Sequence, residues 1–493
     1  MALVAGIDLS TQSCTVELRD ADTFEVAGRA RVALPPTFPP VSEQNTEDWW
    51  DALKAAFQDL ATHVDLSRVE AVAASGQCHG LVALDRDGQT IRPVKLWNDT
   101  TAGPEMRELV AQFGPSFWVD RIGSVPTAAF TVAKLAWLVA HEPETIARID
   151  KILLPHDYLN WRLTGEFTTD RSEASGTGYY DSVRNKYDYD LLNCCFGPIL
   201  NWAETFPVVR GPEAGAGHVT EAAAAELGLR PGLPVAIGGG DQHLAALGLG
   251  LAEGDVVFSL GTSGVVFTST SSPLTGGSRR AQVDGVANTT GGWLPLVCTL
   301  NCTKVTNWAG QMLGADFDTM SELALSADLQ SPSLPIFAAF LDGERSPALP
   351  EATGVLSQLD GRTTRSELVA GFYLGVLFGL LSGLDAISES GVPTGGTLVA
   401  VGGGARSKAY LQLLADLTGR PVQTISEPEA TARGASLQAL ALLRRRPLAE
   451  LAAQLRPQVS SQTEPRRGEA AWPGLRERYR QVVGFAARTR KLT

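Results

Sequence analysis

Two common nucleotide-binding signatures are missing from this sequence. No Gly-Lys dipeptide occurs in its 493 residues, so the phosphate-binding pattern GxxxxGK(S/T) is absent. Two triple-glycine stretches are present, Gly238–Gly240 and Gly402–Gly404, but neither completes the pattern GxGxxG of dinucleotide-binding folds. A bound nucleotide would therefore need a different kind of site.

Disulfide and metal-binding patterns are also missing. The six cysteines include no CxxC pair, and adjacent Cys194 and Cys195 suit neither a disulfide nor a zinc site. The six histidines are scattered. We expect reduced thiols in a cytoplasmic protein. No basic residues precede the first apolar run, and Asp8 interrupts it, which is typical of a first β-strand rather than a signal peptide.

Positive charge is scarce. The net charge of −13 argues against general affinity for nucleic acid or an anionic membrane. Residues 444–493 are the exception, with twelve arginines or lysines against four glutamates. A basic tail of this kind can bind phosphate polymers, but a solvated helical tail packed on an acidic body is the simpler interpretation.

Long hydrophobic runs are almost absent. The best membrane candidate is Leu368–Leu384, which is uncharged for 17 residues and marginal for a membrane span. Every fourth residue from 371 to 383 within it is glycine, at positions 371, 375, 379 and 383, and on a helix these glycines form one stripe. Such a stripe allows another backbone to approach closely, and it predicts a buried helix packed on a sheet.

Strand-like and helix-like patterns alternate throughout, which predicts an α/β fold. The length favours two large domains. The sequence also contains an internal repeat. A hairpin with a small polar turn occurs at residues 6–13 and again at 258–264, and a strand ending in three glycines occurs at 234–241 and again at 398–405, in the same order. We predict two related domains, residues 1–245 and 246–493.

The two hairpin turns are candidate phosphate sites. Turns of small hydroxyl and glycine residues expose several backbone N–H groups, and such a concavity binds phosphate. One turn alone is an ordinary hairpin, but a matched pair can hold a triphosphate from both sides. Asp8 lies beside the first turn, where a carboxylate can hold Mg²⁺ directly or through water.

The triple glycines are candidate ligand sites for another reason. Glycines between a strand and a helix let a ligand approach the helix N-terminus. The first stretch leads into Asp241, which can accept the proton of a hydroxyl that attacks phosphorus, although helix capping is the simpler role for an aspartate there. The second stretch suits an adenosine or α-phosphate. His79 lies in a polar loop whose residue types can bind sugar hydroxyls.

The chain resembles the FGGY carbohydrate kinases, and among them the xylulokinases most. The matching segments run in family order over nearly the whole chain: residues 6–13, 76–80, 96–99, 151–159, 163–166, 238–241, 260–264, 343–347 and 402–407. Each segment is a weak signal alone, but the ordered set is specific.

The resemblance implies an actin-like ATPase architecture of two ribonuclease-H-like domains around a central cleft, with sugar bound mainly by the first domain and ATP mainly by the second. It implies ATP- and Mg²⁺-dependent phosphorylation of a ketopentose, with D-xylulose converted to D-xylulose 5-phosphate. By position, the resemblance implies that Asp241 is the catalytic base and that Asp8 serves Mg-ATP chemistry. It implies that the sugar is bound by Cys78, His79, Asp241 and Gln242. For the nucleotide, it implies a first phosphate loop at Thr11, Gln12 and Ser13, a second at Gly261 and Thr262, and an adenosine site at Gly403 and Gly404.

The chain departs from the xylulokinases on the sugar side at two single positions and over residues 123–134, which follow the family's segment only loosely. Xylulokinases often have Met where this chain has Cys78 and Asn where it has Gln242. Kinases of ribulose, ribitol or gluconate are therefore alternatives, as is an actin- or Hsp70-like ATPase without a sugar substrate. The expected partner is a small-molecule sugar, with no nucleic acid and no membrane; a homodimer is left open.

Overall fold

The computed structural model describes residues 2–277, 279–466 and 472–488. The chain forms two compact units, each assembled from three segments. The first unit comprises the chain up to Leu251 together with Gly285–Leu294 and Glu427–Pro457, and the second comprises Ala252–Asp284, Pro295–Ser426 and the chain from Gln458 onward. The predicted division near residue 245 therefore did not include the later segment Glu427–Pro457, which belongs to the first unit. Residues 467–471 and 489–493 of the predicted basic tail lie outside the described residues.

The strands are, in chain order, β1 Leu3–Leu9, β2 Ser13–Asp20, β3 Val26–Ala33, β4 Glu43–Gln44, β5 Val69–Gly76, β6 Val82–Leu84, β7 Val94–Lys95, β8 Lys151–Leu153, β9 Thr168–Asp170, β10 Tyr180–Asp181, β11 Lys186–Tyr187, β12 Val208–Arg210, β13 Gly215–His218, β14 Pro234–Gly240, β15 Val256–Leu260, β16 Gly264–Thr268, β17 Asp284–Ala287, β18 Trp293–Thr299, β19 Ile336–Ala338, β20 Val355–Ser357, β21 Leu398–Val401, β22 Val422–Ile425 and β23 Val459–Thr463.

The helices are α1 Thr46–Ala61, α2 Gly103–Phe113, α3 Pro115–Ile122, α4 Thr131–His141, α5 Pro143–Ile146, α6 Pro155–Thr164, α7 Arg171–Ala174, α8 Tyr189–Phe196, α9 Trp202–Thr205, α10 Glu221–Leu227, α11 Asp241–Gly248, α12 Thr303–Leu313, α13 Phe317–Ser326, α14 Arg365–Glu389, α15 Lys408–Thr418, α16 Ala430–Arg444, α17 Leu448–Gln454 and α18 Trp472–Ala486. The predicted α/β class is confirmed.

The first unit is built on a six-stranded sheet with the order β13-β14-β5-β1-β2-β3. The predicted hairpin is present, since β1 pairs antiparallel with β2. On its other side β1 runs parallel to β5, and β5 runs parallel to β14. The carboxyl ends of these three parallel strands therefore lie at one edge of the sheet.

Both faces of this sheet are covered. Side chains alternate between the faces along a strand, and Leu3, Ala5 and Ile7 of β1 pack in one apolar cluster with the buried side of α1. Val4, on the opposite face, packs in a second cluster with α11 and with Leu437 of α16. Helix α16 therefore closes the core of the first unit, although it lies far along the chain.

The second unit contains β15, β16, β21, β22, β23 and most of β18 from a seven-stranded sheet with the order β17-β18-β16-β15-β21-β22-β23. Its hairpin is β15 with β16, and β15 runs parallel to β21. The hairpin repeat seen in the sequence is therefore also a repeat in structure. The two strands that lead into three glycines do not occupy equivalent places in their sheets. Strand β21 is the direct neighbour of its hairpin, whereas β14 is separated from its hairpin by β5.

The glycine stripe lies on α14, a buried helix of the second unit, as predicted. A Cβ added at Gly375 would lie 2.2 Å from the carbonyl oxygen of Phe337 on β19, so the helix and the strand touch through their backbones. Among the described residues this helix alone is long and apolar enough to cross a membrane, and 78% of its most apolar window is buried inside the protein. Its composition is that of a core helix.

Candidate active site

Three polar loops follow the parallel strands of the first sheet at their shared edge. The turn after β1 contains Thr11, the loop after β5 contains Cys78 and His79, and Asp241 directly follows β14. Ligands of α/β proteins bind at the carboxyl ends of such strands. The structure therefore brings together the residues of the first unit that the sequence predicted.

Asp241 begins helix α11, at the end of a strand that glycine bends sharply. Gly238 has a φ of +79°, and a Cβ there would lie 2.1 Å from the carbonyl oxygen of Ala74, so only glycine fits. Oδ1 of Asp241 accepts hydrogen bonds from the backbone N–H of Gln242 at 2.7 Å and from Cys78 Sγ at 3.2 Å. The carboxylate is half-buried. Burial raises the pKa of Asp241 above its ordinary value of 3.8, and the two hydrogen bonds oppose the rise.

A capping role explains this aspartate poorly. The residue at the cap of α11 is Gly240, and no side chain caps the helix. Burial also raises the pKa of the Cys78 thiol well above its usual 9.0, so the thiol keeps its proton and acts as the donor to Asp241. The result is a carboxylate with elevated basicity, held by a neutral donor.

Asp8 lies near the end of β1, within electrostatic reach of Asp241. Burial is the main cause that raises the pKa of Asp8 to about 8, and the negative charges of Asp241 and Glu429 add to it, while Arg31 opposes it. Oδ1 of Asp8 is buried and has no hydrogen-bond partner among the described residues. A buried carboxylate oxygen without a partner is costly in the free protein, and it fits a site that a cation or an ordered water completes.

The turn between β1 and β2 differs from the prediction in one respect. The hydroxyl of Thr11 donates to Gln77 Oε1 at 3.0 Å and accepts from Trp97 Nε1 at 2.9 Å, so it is already engaged. Gln12 is exposed and Ser13 is buried. Any phosphate contact from Thr11 is therefore expected from its backbone rather than from its hydroxyl.

His79 is held in a constrained loop conformation. Its φ is +66°, which is uncommon for a residue with a side chain. Its ring stacks on Phe130 with centroids 5.3 Å apart, and its backbone N–H donates to Glu173 Oε1 at 2.5 Å. A Cβ at Gly176 would lie 2.2 Å from the ring, so that glycine makes room for the imidazole. Such multiple constraints are typical of a residue positioned for binding.

Two buried residues beside this site were missed by the sequence analysis. Glu173 lies on α7 and is fully buried, and His243 lies in the first turn of α11 with 2% exposure. Burial raises the pKa of Glu173 well above 4.5 and lowers that of His243 to about 4. The only local signal at Glu173 is the spacing from Asp170, an Asp-x-x-Glu pattern that predicts a helix start. Asp170 does cap α7, but Glu173 instead points to the Cys78–His79 loop.

The second hairpin turn contains Gly261 and Thr262. Their carbonyl oxygens accept from the backbone N–H groups of Thr303 at 3.0 Å and Cys302 at 3.1 Å, at the start of α12. The C=O and N–H groups of a trans peptide point in opposite directions. The N–H groups that follow these carbonyls therefore point away from α12, and the turn is exposed at Thr262.

The second triple glycine lies next to this turn. Gly402 has a φ of +85°, and a Cβ on Gly404 would lie 2.7 Å from Cβ of Leu260, the last residue of β15. Gly403 is exposed. The structure thus places Gly261, Thr262, Gly403 and Gly404 together at the carboxyl edge of the second sheet.

The chain is similar to known proteins in family, sequence and structure. Residues 3–248 match the N-terminal domain of the FGGY family of carbohydrate kinases, and residues 256–443 match its C-terminal domain. The chain is 40% identical over 450 residues to a xylulose kinase of Streptomyces rubiginosus, covering 90% of this chain and 88% of that protein. It is also 40% identical, over 443 residues, to a xylulose kinase of Streptomyces coelicolor, with the same two coverages.

A solved structure shows the same likeness over nearly the whole chain. The crystal structure of xylulose kinase from Bifidobacterium adolescentis superposes with a TM-score of 0.87 at 32% identity, covering 97% of this chain and 99% of that one. The match of both domains accounts for the two related sheets and for the polar loops at their carboxyl edges. The chain belongs to the FGGY family of carbohydrate kinases.

Proposed function

We propose that this protein transfers the γ-phosphate of ATP to the terminal hydroxyl of D-xylulose, giving D-xylulose 5-phosphate. The observation that carries the proposal is Asp241, a half-buried carboxylate of raised pKa at the edge where the sugar-side loops meet. The relatives named xylulose kinase, at 40% identity, support the choice of sugar. A cytoplasmic location and a homodimeric state stay predictions.

Asp241 acts as the general base in this proposal. It accepts the proton of the O5 hydroxyl as that oxygen attacks the γ-phosphorus of ATP in line, and ADP leaves. Its raised pKa makes it a stronger base than an ordinary aspartate. The Cys78 thiol, 3.2 Å from Oδ1, fixes the orientation of the carboxylate.

The phosphate groups are assigned to the backbone of the two hairpin turns. Gln12 and Thr262 are exposed residues of the two turns. Their backbone N–H groups are assigned to the phosphate oxygens, where preorganised donors offset developing negative charge. Gly403 is exposed beside the second turn and leaves room for the adenosine, while Gly404 lets the backbone pack closely on Leu260. Cys78, His79 and Gln242 are assigned to the sugar.

Mg²⁺ fits the chemistry of the Asp8 position, because a buried carboxylate oxygen there has no other partner among the described residues. When bound with ATP, the ion supplies positive charge that neutralises the transferring phosphoryl group. Asp8 would hold it, directly or through water, and its own raised pKa reflects the cost of that carboxylate without a cation.

The proposal is tested by ATP consumption with Mg²⁺ against D-xylulose, D-ribulose, L-ribulose, ribitol, xylitol, gluconate, glycerol and no sugar. We expect strong stimulation by D-xylulose alone. Stimulation by a different sugar would keep Asp241 as the base and move the substrate, with Cys78 and Gln242 as the residues to exchange first. ATP turnover that ignores every sugar would overturn the kinase proposal.

A further inference from the structure

Three buried side chains converge over one glycine beside the proposed base. Cys78 Sγ, Glu173 Oε2 and His243 Nδ1 come from three different elements, and their ligand atoms lie within 4.8 Å of one another. A Cβ built on Gly240 would lie 2.1 Å from the Glu173 oxygen, 2.7 Å from the Cys78 sulfur and 2.8 Å from the His243 nitrogen. All three atoms therefore surround one small space. That space is open because residue 240 is glycine and has no side chain.

Two of these atoms lack a well-aligned hydrogen bond. Glu173 Oε2 and His243 Nδ1 form none with any described residue, although the two residues are 0% and 2% exposed. Their polar neighbours are each other, at 3.8 Å, and the Cys78 thiol, which interacts with the Glu173 carboxyl group. Leaving one buried polar group unsatisfied costs about 1–3 kcal/mol. The other oxygen of Glu173 is fixed by the backbone N–H of His79 at 2.5 Å, so Oε2 is held in place. A set of orphaned atoms held toward one spot calls for a ligand.

The donor set is that of zinc rather than magnesium. A thiolate, an imidazole and a carboxylate together suit Zn²⁺, whereas Mg²⁺ prefers oxygen alone. Zn–S, Zn–N and Zn–O distances are about 2.3, 2.0–2.1 and 2.0–2.2 Å, so a nitrogen and an oxygen ligand of a tetrahedral ion lie roughly 3.3–3.5 Å apart. His243 Nδ1 and Glu173 Oε2 are 3.8 Å apart, so a small inward movement of these two side chains completes the geometry.

We propose that Cys78, Glu173 and His243 form a binding site for Zn²⁺ or a similar soft divalent cation, distinct from the Mg-ATP position at Asp8. Cys78 keeps 9% exposure and Asp241 is half-buried, so an ion reaches the site from the face that Asp241 lines. The fixed hydrogen bond from His79 to Glu173 holds one ligand in orientation, as supporting contacts do around metals.

The site also acts on the proposed base. On binding, the Cys78 S–H bond is replaced by an S–Zn bond and the proton passes to solvent, so Asp241 loses the donor at 3.2 Å and gains a cation as its neighbour. The carboxylate then loses the contact that fixes its orientation, and the Cys78 side chain, assigned to the sugar, is held by the ion instead. Zn²⁺ is therefore expected to inhibit the kinase. This consequence rests on the proposed function, whereas metal binding does not.

Metal binding is tested with full-length protein stripped by a chelator. Co²⁺ is titrated as a spectroscopic probe, and we expect one equivalent with a near-ultraviolet thiolate-to-cobalt band that Zn²⁺ displaces. Cys78→Ser should abolish the band. His243→Gln removes a direct ligand and should weaken binding by at least the roughly 10–100-fold that loss of an outer-shell partner costs. Cys194→Ser removes an exposed thiol and should change nothing. The proposal fails if no band forms, or if the band survives Cys78→Ser.

Inhibition is tested separately, with Zn²⁺ added against excess Mg-ATP. The wild type should lose activity at Zn²⁺ concentrations at least roughly tenfold below those that inhibit His243→Gln, with circular dichroism confirming that the variant is folded. A cobalt band without any sugar-dependent turnover would overturn the proposed function and leave the metal site standing. Sugar-dependent turnover without the band would overturn the metal site alone.

Discussion

At the scale of single residues, the first unit concentrates buried acids at one sheet edge. Asp8, Glu173 and Asp241 all have pKa values raised by burial, and in each case burial is the largest cause. Perturbed groups that share one location are typical of functional sites. The assignment of roles among them can be separated by substitution.

Replacing the proposed base should slow turnover without weakening nucleotide binding. Asp241→Asn keeps the shape of the side chain but cannot accept the proton, so kcat should fall about 10²–10⁴-fold. The KM for ATP should change little. Asp316→Asn is the matched control, because Asp316 caps α13 and asparagine caps a helix equally well. Steady-state kinetics measure both, and near-normal turnover of Asp241→Asn would assign the base elsewhere.

The kcat/KM of the wild-type enzyme should also depend on pH through Asp241. The pKa of Asp241 is raised above 3.8, so the acid limb of kcat/KM should lie above the range of an ordinary aspartate. Activity should rise with pH as the carboxylate ionises. An acid limb that stays at the ordinary aspartate value would contradict a buried base.

Asp8 should destabilise the ligand-free protein as pH rises. Its pKa moves from 3.8 to about 8 on folding, so between these values the unfolded chain releases a proton that the folded chain keeps. Stability contributed by this group therefore falls as pH rises through that window. Asp8→Asn should raise Tm over the wild type by a margin that grows from pH 5 to pH 8, reaching at least about 2 °C.

Thermal melts without Mg²⁺ or ATP check this expectation, with Asp316→Asn as the control whose difference from wild type should not grow with pH. The pKa of Asp316 is lowered rather than raised, because Thr319 donates to it. A pH-independent margin for Asp8→Asn would show that this carboxylate is better solvated than the structure indicates.

Sequence and structure agree on residues whose signal is local. Asp8 and Asp241 stand at strand ends beside glycines or small polar residues, and that neighbourhood is visible in the sequence. Glu173 and His243 could not be found in this way. They reach the site because α7 and α11 pack near the Cys78 loop, and a tertiary contact of that kind leaves no periodicity in the sequence.

At the scale of elements, the internal repeat in the sequence correctly predicted equivalent hairpins but not equivalent glycine-ended strands. The two hairpins occupy the same place in their sheets, but the two glycine-ended strands do not. A strand followed by three glycines and a helix only indicates that a ligand or another backbone comes close. It does not specify the position of the strand in the sheet, since pairing order depends on long-range contacts. The alternation of strands and helices was sufficient for the α/β class and not for this detail.

The glycine stripe of α14 gives a matched pair of substitutions. Gly375→Ala places a methyl group 2.2 Å from the carbonyl oxygen of Phe337, and such overpacking costs about 1–3 kcal/mol. Gly379→Ala meets only the hydroxyl of Tyr479 at 3.4 Å, so the better helix propensity of alanine should stabilise by up to about 1 kcal/mol. Denaturant unfolding measures both. Equal effects would contradict the backbone contact between α14 and β19.

At the scale of the whole molecule, the first unit is discontinuous in the chain. Helix α16 covers one face of the first sheet, where it packs with Val4, Ala71 and Leu244. Residues up to Leu251 contain the complete sheet and lack this helix. The N-terminal family domain, residues 3–248, therefore ends before its own core is complete.

A fragment experiment tests this dependence. Residues 1–251 expressed alone should be poorly soluble or lack a cooperative melt, because an apolar sheet face is exposed. Joining residues 427–457 through a flexible linker should restore solubility and a cooperative transition. A linked segment carrying Leu437→Asp and Leu440→Asp is the matched control and should fail to rescue, since both leucines are buried in the shared cluster. A stable, cooperative fragment 1–251 would show that α16 is dispensable.

The position of α16 in the chain also sets an order of events during protein synthesis. The first sheet leaves the ribosome before residues 252–426 have been translated, and its covering helix follows only afterwards. At roughly 5–20 residues per second, the nascent chain carries an open apolar face for about 10–35 seconds. During that interval chaperones and proteases compete for the same surface that α16 will later occupy, so the yield of active enzyme is expected to depend on translation speed through the second unit.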